Sequence, residues 1–247
     1  MDWIMPLLTL TAMEVVLGID NIIFIAILVA RLPEAQQGPA RKLGLGLALI
    51  TRILLLLSLT WVMRLTDPVF KLSDLGLPAA WFSEKANQIS WKDLILIGGG
   101  LFLIAKSTHE IYMKVEGHEE SATGERIRKG QFGWTLVQIA LLDIIFSLDS
   151  VITAIGMANQ LWVMVLAVIL AVGIMLVFSG AVSGFVHRHP SIRVLALSFL
   201  ILIGVMLVAE GFEKEIERGY IYFAMCFSLV VELLNIRAHR QAEKIKQ

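Results

Sequence analysis

Glu14-Val15-Val16-Leu17-Gly18-Ile19-Asp20-Asn21 sets two carboxylates and an amide inside an apolar run that extends from about residue 4 to residue 30. The pattern recurs as Asp143-Ile144-Ile145-Phe146-Ser147-Leu148-Asp149-Ser150. Each copy reads acid, five residues, Asp, small polar residue, and both acids step by one interval (143 − 14 and 149 − 20 are both 129). A carboxylate at bilayer depth costs about 2.5–3.5 kcal/mol on insertion scales. Two matched acidic breaks in two apolar segments therefore call for a common explanation.

The surrounding chain is built for lipid. Hydrophobic residues make up 57% of the 247 and charged residues 17%, and mean hydropathy is +0.77, whereas soluble domains carry about 45–50% apolar and about 25% charged residues. This is an integral membrane protein. Lys plus Arg equals Asp plus Glu at 21 each, so no basic excess points to a nucleic-acid partner. The lone Cys226 excludes an intrachain disulfide. The start, Met1-Asp2-Trp3, lacks the basic flank of a signal peptide, and the first apolar run reads as a retained helix.

Crossing about 30 Å of hydrocarbon takes roughly 20 helical residues. Seven runs qualify, at about 4–30, 43–64, 92–113, 133–156, 161–182, 192–210 and 219–236. They are continuously apolar rather than alternating, which favours helices over a barrel. The fold class is all-α, a polytopic membrane bundle forming a single domain. Placing the N-terminus outside puts thirteen Lys and Arg in the cytoplasmic connections and six on the other side, leaving Arg52 and Lys106 within apolar runs. That asymmetry predicts N-out and C-in. Trp3, Trp61, Trp91, Trp134 and Trp162 fall near the expected helix ends, where amphipathic rings favour the interface. The long outer connection from about Asp67 to Trp91 holds Pro68, Pro78 and Trp81-Phe82, and reads either as a surface-lying amphipathic segment or as an ordinary loop.

The interval of 129 aligns helix 1 with helix 4, so the repeat unit is three helices: about 4–113 and 133–210, with a seventh helix at about 219–236. An odd unit inverts, as in many secondary transporters. Gly100-Leu-Phe-Leu-Ile-Ala-Lys106 and Gly204-Val-Met-Leu-Val-Ala-Glu210 add a second match, at an interval of 104 that requires a shorter connection in the second half.

Glu14, Asp20, Asp143 and Asp149 must face the bundle interior or water. Lys106 and Arg52 are the candidate counter-charges. Pairing both leaves two acids over, a remainder that a bound divalent cation or protonation would neutralise. At about 100° per residue, Glu14 and Asn21 share a helix face, as do Asp143 and Ser150, while Asp20 and Asp149 lie about 120° away. Either the helices unwind locally, for which Gly18 and Ser147 are permissive, or the second acids serve another helix or a proton path. Carboxylate, amide, hydroxyl and carbonyl are hard oxygen donors suited to Mg2+, Ca2+ or Mn2+. The candidate metal ligands are thus Glu14, Asp20, Asn21, Asp143, Asp149 and Ser150. No permanent cofactor is expected.

Other polar features have plainer readings. Glu232 and Asn235 suit a cap or a salt bridge with Arg237 near the end of helix 7, and Gly98-Gly99-Gly100, Gly180 and Gly184 suit helix packing. After His109-Glu110, the second histidine of a zinc-protease motif is replaced by Met113. An aspartyl hydrolase using Asp20 and Asp149 would lack the Gly-x-Gly-Asp signature, so no enzymatic activity is expected.

Together, Glu14 to Asn21, Asp143 to Ser150, Ile203-Gly-Val-Met-Leu-Val-Ala-Glu-Gly211 and Tyr220-Ile-Tyr-Phe-Ala-Met225 resemble the TerC family of integral membrane proteins, in particular its YgdQ-like bacterial inner-membrane branch. The resemblance covers essentially the whole chain. It implies a transporter of inverted three-helix repeats, related to the LysE-type exporters, with the matched acids as candidate metal ligands, in a family that includes manganese exporters.

The expected function is secondary-active export of a divalent metal, Mn2+ first, across the bacterial inner membrane; the alternative is a non-transporting scaffold for assembly or metallation of other proteins. No nucleotide-binding motif points to ATP as the driver. The bilayer and the metal ion are the expected partners. The topology is directly testable: a cysteine at Ser121 should be shielded from an impermeant external thiol reagent and one at Ser83 should label, and the reverse pattern would invert the orientation.

Overall fold

The computed structural model describes residues 3–30, 32–71, 73, 87–116, 125–157, 160–214 and 216–245; within these, the side chains at 20, 59–61, 125–130, 149, 150, 152–157, 218 and 239–245 lie outside the description. The described residues form α1 (Ile4–Val29), α2 (Glu34–Leu57), α3 (Leu59–Arg64), β1 (Pro68–Lys71), β2 (Gln88–Ser90), α4 (Trp91–Val115), α5 (Glu125–Met157), α6 (Leu161–Arg188), α7 (Pro190–Gly211) and α8 (Arg218–Ile245). Backbone N–H and C=O groups have no water to bond in hydrocarbon, and helices satisfy them internally. Among the described residues, six segments are long and apolar enough to cross a membrane: α1, α4, Gln131–Leu148 of α5, α6, α7 and Gly219–Ala238 of α8. The remaining long helix, α2, carries Arg41, Lys42 and Arg52.

Several boundaries differ from the hydropathy reading. The second apolar run, expected at 43–64, begins at Glu34 and is divided at Ser58 (φ −88°, ψ 21°) into α2 and α3, with the Ser58 hydroxyl donating to the Leu55 carbonyl (3.2 Å). Helix α5 starts at Glu125 and α8 continues to Ile245, because amphiphilic sequence extends a helix past the membrane as readily as apolar sequence crosses it. Glu232 and Asn235 consequently sit inside α8 and do not cap it. In the outer connection, β1 pairs antiparallel with β2, matching Pro68 with Ser90 and Phe70 with Ile89, a ribbon that hydropathy did not indicate. Pro78 and Trp81-Phe82 lie outside the described residues. The ribbon delivers Ser90 to a capping box on α4: Asp93 N–H donates to Ser90 Oγ (3.2 Å) and Ser90 N–H to Asp93 Oδ2 (2.8 Å).

The bundle is organised by three long pairings, α4 with α7, α1 with α6 and α2 with α5. Small residues bring the backbones close, as is usual between membrane helices. A Cβ built on Gly100 would lie 2.5 Å from the Gly204 carbonyl oxygen and 2.8 Å from Val208 Cγ2; one built on Gly204 would lie 2.8 Å from the Gly100 carbonyl oxygen and 2.8 Å from Ile104 Cγ1. In α1, Gly18 makes room for Met175 of α6, and the aromatic rings of Trp3 and Trp162 meet at the same end of these two helices, 5.4 Å between centroids. Between α2 and α5, Gly44 accommodates Ile139. Gly180 and Gly184, by contrast, are in ordinary contact range of Arg41 and Arg188 only. The core runs along α1, where Ile22 and Phe24 through Val29 are all buried, whereas α8 exposes Tyr220, Phe223, Phe227, Val230 and Leu234.

The contact at Gly204 is backbone against backbone, so it cannot relax by a rotamer change. Gly204→Ala should lower the stability of the purified protein by about 1–3 kcal/mol through overpacking. Gly98→Ala, which meets nothing within 4 Å, should leave stability equal or higher. Thermal unfolding in detergent separates the two; equal melting temperatures would rule out the tight crossing.

Candidate functional site

Three helices bring polar side chains to one buried point. Helix α1 supplies Glu14 and Asn21, two turns apart on one face; α2 supplies Thr51 and Arg52; α5 supplies Asp143 and, one turn on, Ser147. Glu14, Arg52 and Asp143 are 6%, 3% and 4% exposed and Ser147 is fully buried. Arg52 joins the two acids: its Nη1 pairs with Glu14 Oε2, and its Nε donates to Asp143 Oδ1 at 3.3 Å. Asn21 Nδ2 donates to the same Asp143 oxygen at 3.2 Å. The other oxygen, Oδ2, lies 2.9 Å from Thr51 Oγ1 and 3.4 Å from Ser147 Oγ. Thr51 Oγ1 also lies within 3.1 Å of the Leu47 and Ala48 carbonyls, and its single proton is shared among these acceptors.

The arrangement answers the cost of placing charge in lipid. Buried carboxylates need a counter-charge and hydrogen bonds for their remaining lone pairs, and Asp143 receives both from α1, α2 and its own helix. Arg suits the bridge because its planar, permanently charged fork reaches two acceptors at once. One guanidinium offers a single positive charge to two carboxylates, so the ionised cluster retains one negative charge. A cavity of about 10 Å3, room for about one water, adjoins Glu14 and Arg52 and is closed by Leu10, Leu56, Val151, Met164, Ala167 and Val168. Its lining extends toward the end of the bundle marked by Trp3 and Trp162.

Of the residues singled out in the sequence, Glu14, Asn21, Arg52 and Asp143 are brought together. Asp20, Asp149 and Ser150 belong to the helical backbone of α1 and α5, and their side chains lie outside the described residues. The expected alternative of local unwinding at Gly18 and Ser147 is corrected: both helices run through without interruption, because Gly18 is used for packing against Met175 and Ser147 as a donor to Asp143. Among the described residues Lys106 is not paired with Glu14 or Asp143, and the side chains of Asp20 and Asp149, which it was also expected to balance, lie outside the description. The ion pair of Lys106 is with Glu110, one turn along α4, at 3.5 Å, a helical spacing that lets its long stem reach a local partner. Among the described residues, no three His, Cys, Asp or Glu side chains gather as a metal site. Thr51 and Ser147 were not singled out as ligand partners. Their signal was available in the Thr51-Arg52 pair inside an apolar helix and in the i, i+4 spacing of Asp143 and Ser147.

Residues 1–247 match the integral membrane protein TerC family. The chain belongs to the TerC family. A UPF0053 protein of Haemophilus influenzae is 52% identical over 238 residues, which is 96% of this chain and 94% of that protein. The UPF0053 inner membrane protein YgdQ of Escherichia coli is 51% identical over 228 residues, 92% of this chain and 90% of that protein. The inner membrane protein YoaE of Escherichia coli is 44% identical over 95% of this chain but only 43% of its own length. No solved structure matches the chain. This TerC protein is a multi-pass protein of the inner membrane, as its apolar helices and its similarity to these inner membrane proteins together support.

Because Glu14 and Arg52 are in contact and buried, their substitutions should not be additive. Glu14→Gln, Arg52→Gln and the double variant should yield a coupling of roughly 0.5–3 kcal/mol in unfolding free energy. Strict additivity in a double-mutant cycle would mean that the pair does not form.

Proposed function

We propose that this TerC protein is a secondary-active exporter of divalent metal ions, with Mn2+ the preferred cargo. The observation that carries the reading is the pair of buried carboxylates, Glu14 from α1 and Asp143 from α5, meeting at one point with one cation too few. Intramembrane acids that face a bundle interior are characteristic of ion pathways. The donors around them, carboxylate, amide and hydroxyl oxygen, are hard ligands of the kind Mn2+ and Mg2+ accept. Asp20, Asp149 and Ser150 complete the proposed pathway.

Inverted repeats fit the same reading. With α1 equivalent to α5, α2 to α6 and α4 to α7, the α1/α6 and α2/α5 pairings become one interaction repeated, and α4/α7 becomes a contact across the axis. The reciprocal approach of Gly100 to Gly204 and Val208, and of Gly204 to Gly100 and Ile104, follows the 104-residue interval at both positions. Transporters built this way place their ion site at the repeat interface near the bilayer midplane. We take α2 as a seventh crossing, its Arg52 neutralised internally, with the N-terminus outside and the C-terminus cytoplasmic.

A membrane scaffold is the second reading, and one observation favours it. Asp143 already has donors in Asn21, Thr51, Arg52 and Ser147, so the cluster can tie three helices together with no ion. Flux of Mn2+ into proteoliposomes discriminates. On the transport reading, Glu14→Gln, Asp143→Asn, Asp20→Asn and Asp149→Asn each reduce flux at least tenfold at equal membrane abundance. Wild-type flux in all four would remove the carboxylate pathway.

Carboxylates must be deprotonated to hold metal, so protons compete with the cargo and Mn2+ affinity should fall as pH falls. Calorimetric titration at two pH values checks the sign. An affinity that is unchanged, or that rises on acidification, would argue against carboxylate ligation.

A further inference from the structure

We infer that Arg52 is a tethered competitor of the cargo, holding the place between Glu14 and Asp143 that a divalent cation takes when its guanidinium withdraws; this rests on reading those two acids as cargo ligands. The geometry is that of substitution. Nε and Nη1 of one side chain contact one oxygen from each acid, which is the bridging position a metal ion shared by two carboxylates would occupy. Arg52 is 3% exposed, so its charge is held there by these contacts and not by solvent.

Charge counting gives the substitution a direction. With Arg52 in place, the two ionised acids leave a net charge of −1, which one proton or one monovalent cation neutralises. With Arg52 withdrawn, the acids carry −2, which one divalent cation neutralises. Both at once would leave a buried net charge of +1, which a low-dielectric site resists. The side-chain position of Arg52 thus decides whether the two acids present a charge that a divalent ion can balance. A cavity of about 10 Å3, room for about one water, is bordered by Glu14 and Arg52 together with Leu56, Val151 and Met164, so the packing beside the ion pair is incomplete. Asn21, Thr51 and Ser147 hold Asp143 in place independently of Arg52, so the acid keeps its position when the guanidinium leaves.

The test is calorimetric titration of the purified full-length protein with Mn2+ in wild type, Arg52→Gln, Arg52→Lys, Glu14→Gln and Asp143→Asn. Removing a competitor tightens binding, so Arg52→Gln should bind Mn2+ at least tenfold more tightly than wild type. Arg52→Lys should tighten it less, because a compact ammonium lacks the planar fork that spans both acids. Guanidinium ion added to Arg52→Gln should weaken Mn2+ binding back toward the wild-type value, while sodium at equal ionic strength should not. A purely structural Arg52 predicts the opposite: unchanged or weaker Mn2+ binding in both variants and no specific effect of guanidinium. That result overturns the inference, and if Arg52→Gln does not yield folded protein, unchanged or weaker binding by Arg52→Lys is sufficient to do so. Failure of the parent reading is a different result: wild type shows no saturable Mn2+ binding that Glu14→Gln or Asp143→Asn removes.

Discussion

One guanidinium shared by two carboxylates inside hydrocarbon constrains everything around it. Arg52 cannot be exposed to lipid, and neither can Glu14 or Asp143, so α1, α2 and α5 must meet at one depth with those residues facing one another. A helix that slid by one turn would leave a buried charge without its partner, a loss of about 3–5 kcal/mol. The interaction therefore sets the register of three helices more strictly than their apolar contacts, which lipid tails could replace at little cost. It also explains how α2 resides in the bundle with a buried arginine in its apolar C-terminal half.

Packing supplies what electrostatics does not. Helices in lipid gain little from hydrophobicity against one another and associate through close contact, so glycine appears where backbones touch. The crossing of α4 and α7 at Gly100 and Gly204 is the clearest instance, each glycine leaving room for the other's carbonyl. Gly18 performs the same service between α1 and α6, four residues from Glu14, and thereby keeps α1 straight through the acidic stretch. A continuous helix places position 20 about 120° around from the Glu14 face.

The chemistry follows from a mismatch. Among the described side chains two acids stand against one arginine, a remainder that a proton or a further cation can balance. A proton, a metal ion or a movement of the arginine itself can do so, and a transporter needs alternatives of this kind. The hydroxyl and amide donors on Asp143 hold that carboxylate in place while its counter-charge changes. The same contacts would serve a static scaffold equally well, which is why ion flux and binding separate the readings and further geometry does not.

Composition and spacing alone determined that this chain spans a membrane, that its fold is all-α, that the acids of helices 1 and 4 form a matched set, and which family it resembles. These are properties of local sequence: hydropathy over about 20 residues, the cost of burying a charge, and a repeat interval that can be counted. Only the tertiary structure decided which basic residue meets the acids. Arg52 and Lys106 are equivalent by the linear criterion of a cation inside an apolar run, and choosing between them depends on which helices pack together. Lys106 turned to Glu110 within its own helix, while Arg52 crossed to α1 and α5. The role of Thr51 and the packing use of Gly18 were likewise settled by contacts between residues 92 and 157 positions apart, which no local pattern encodes.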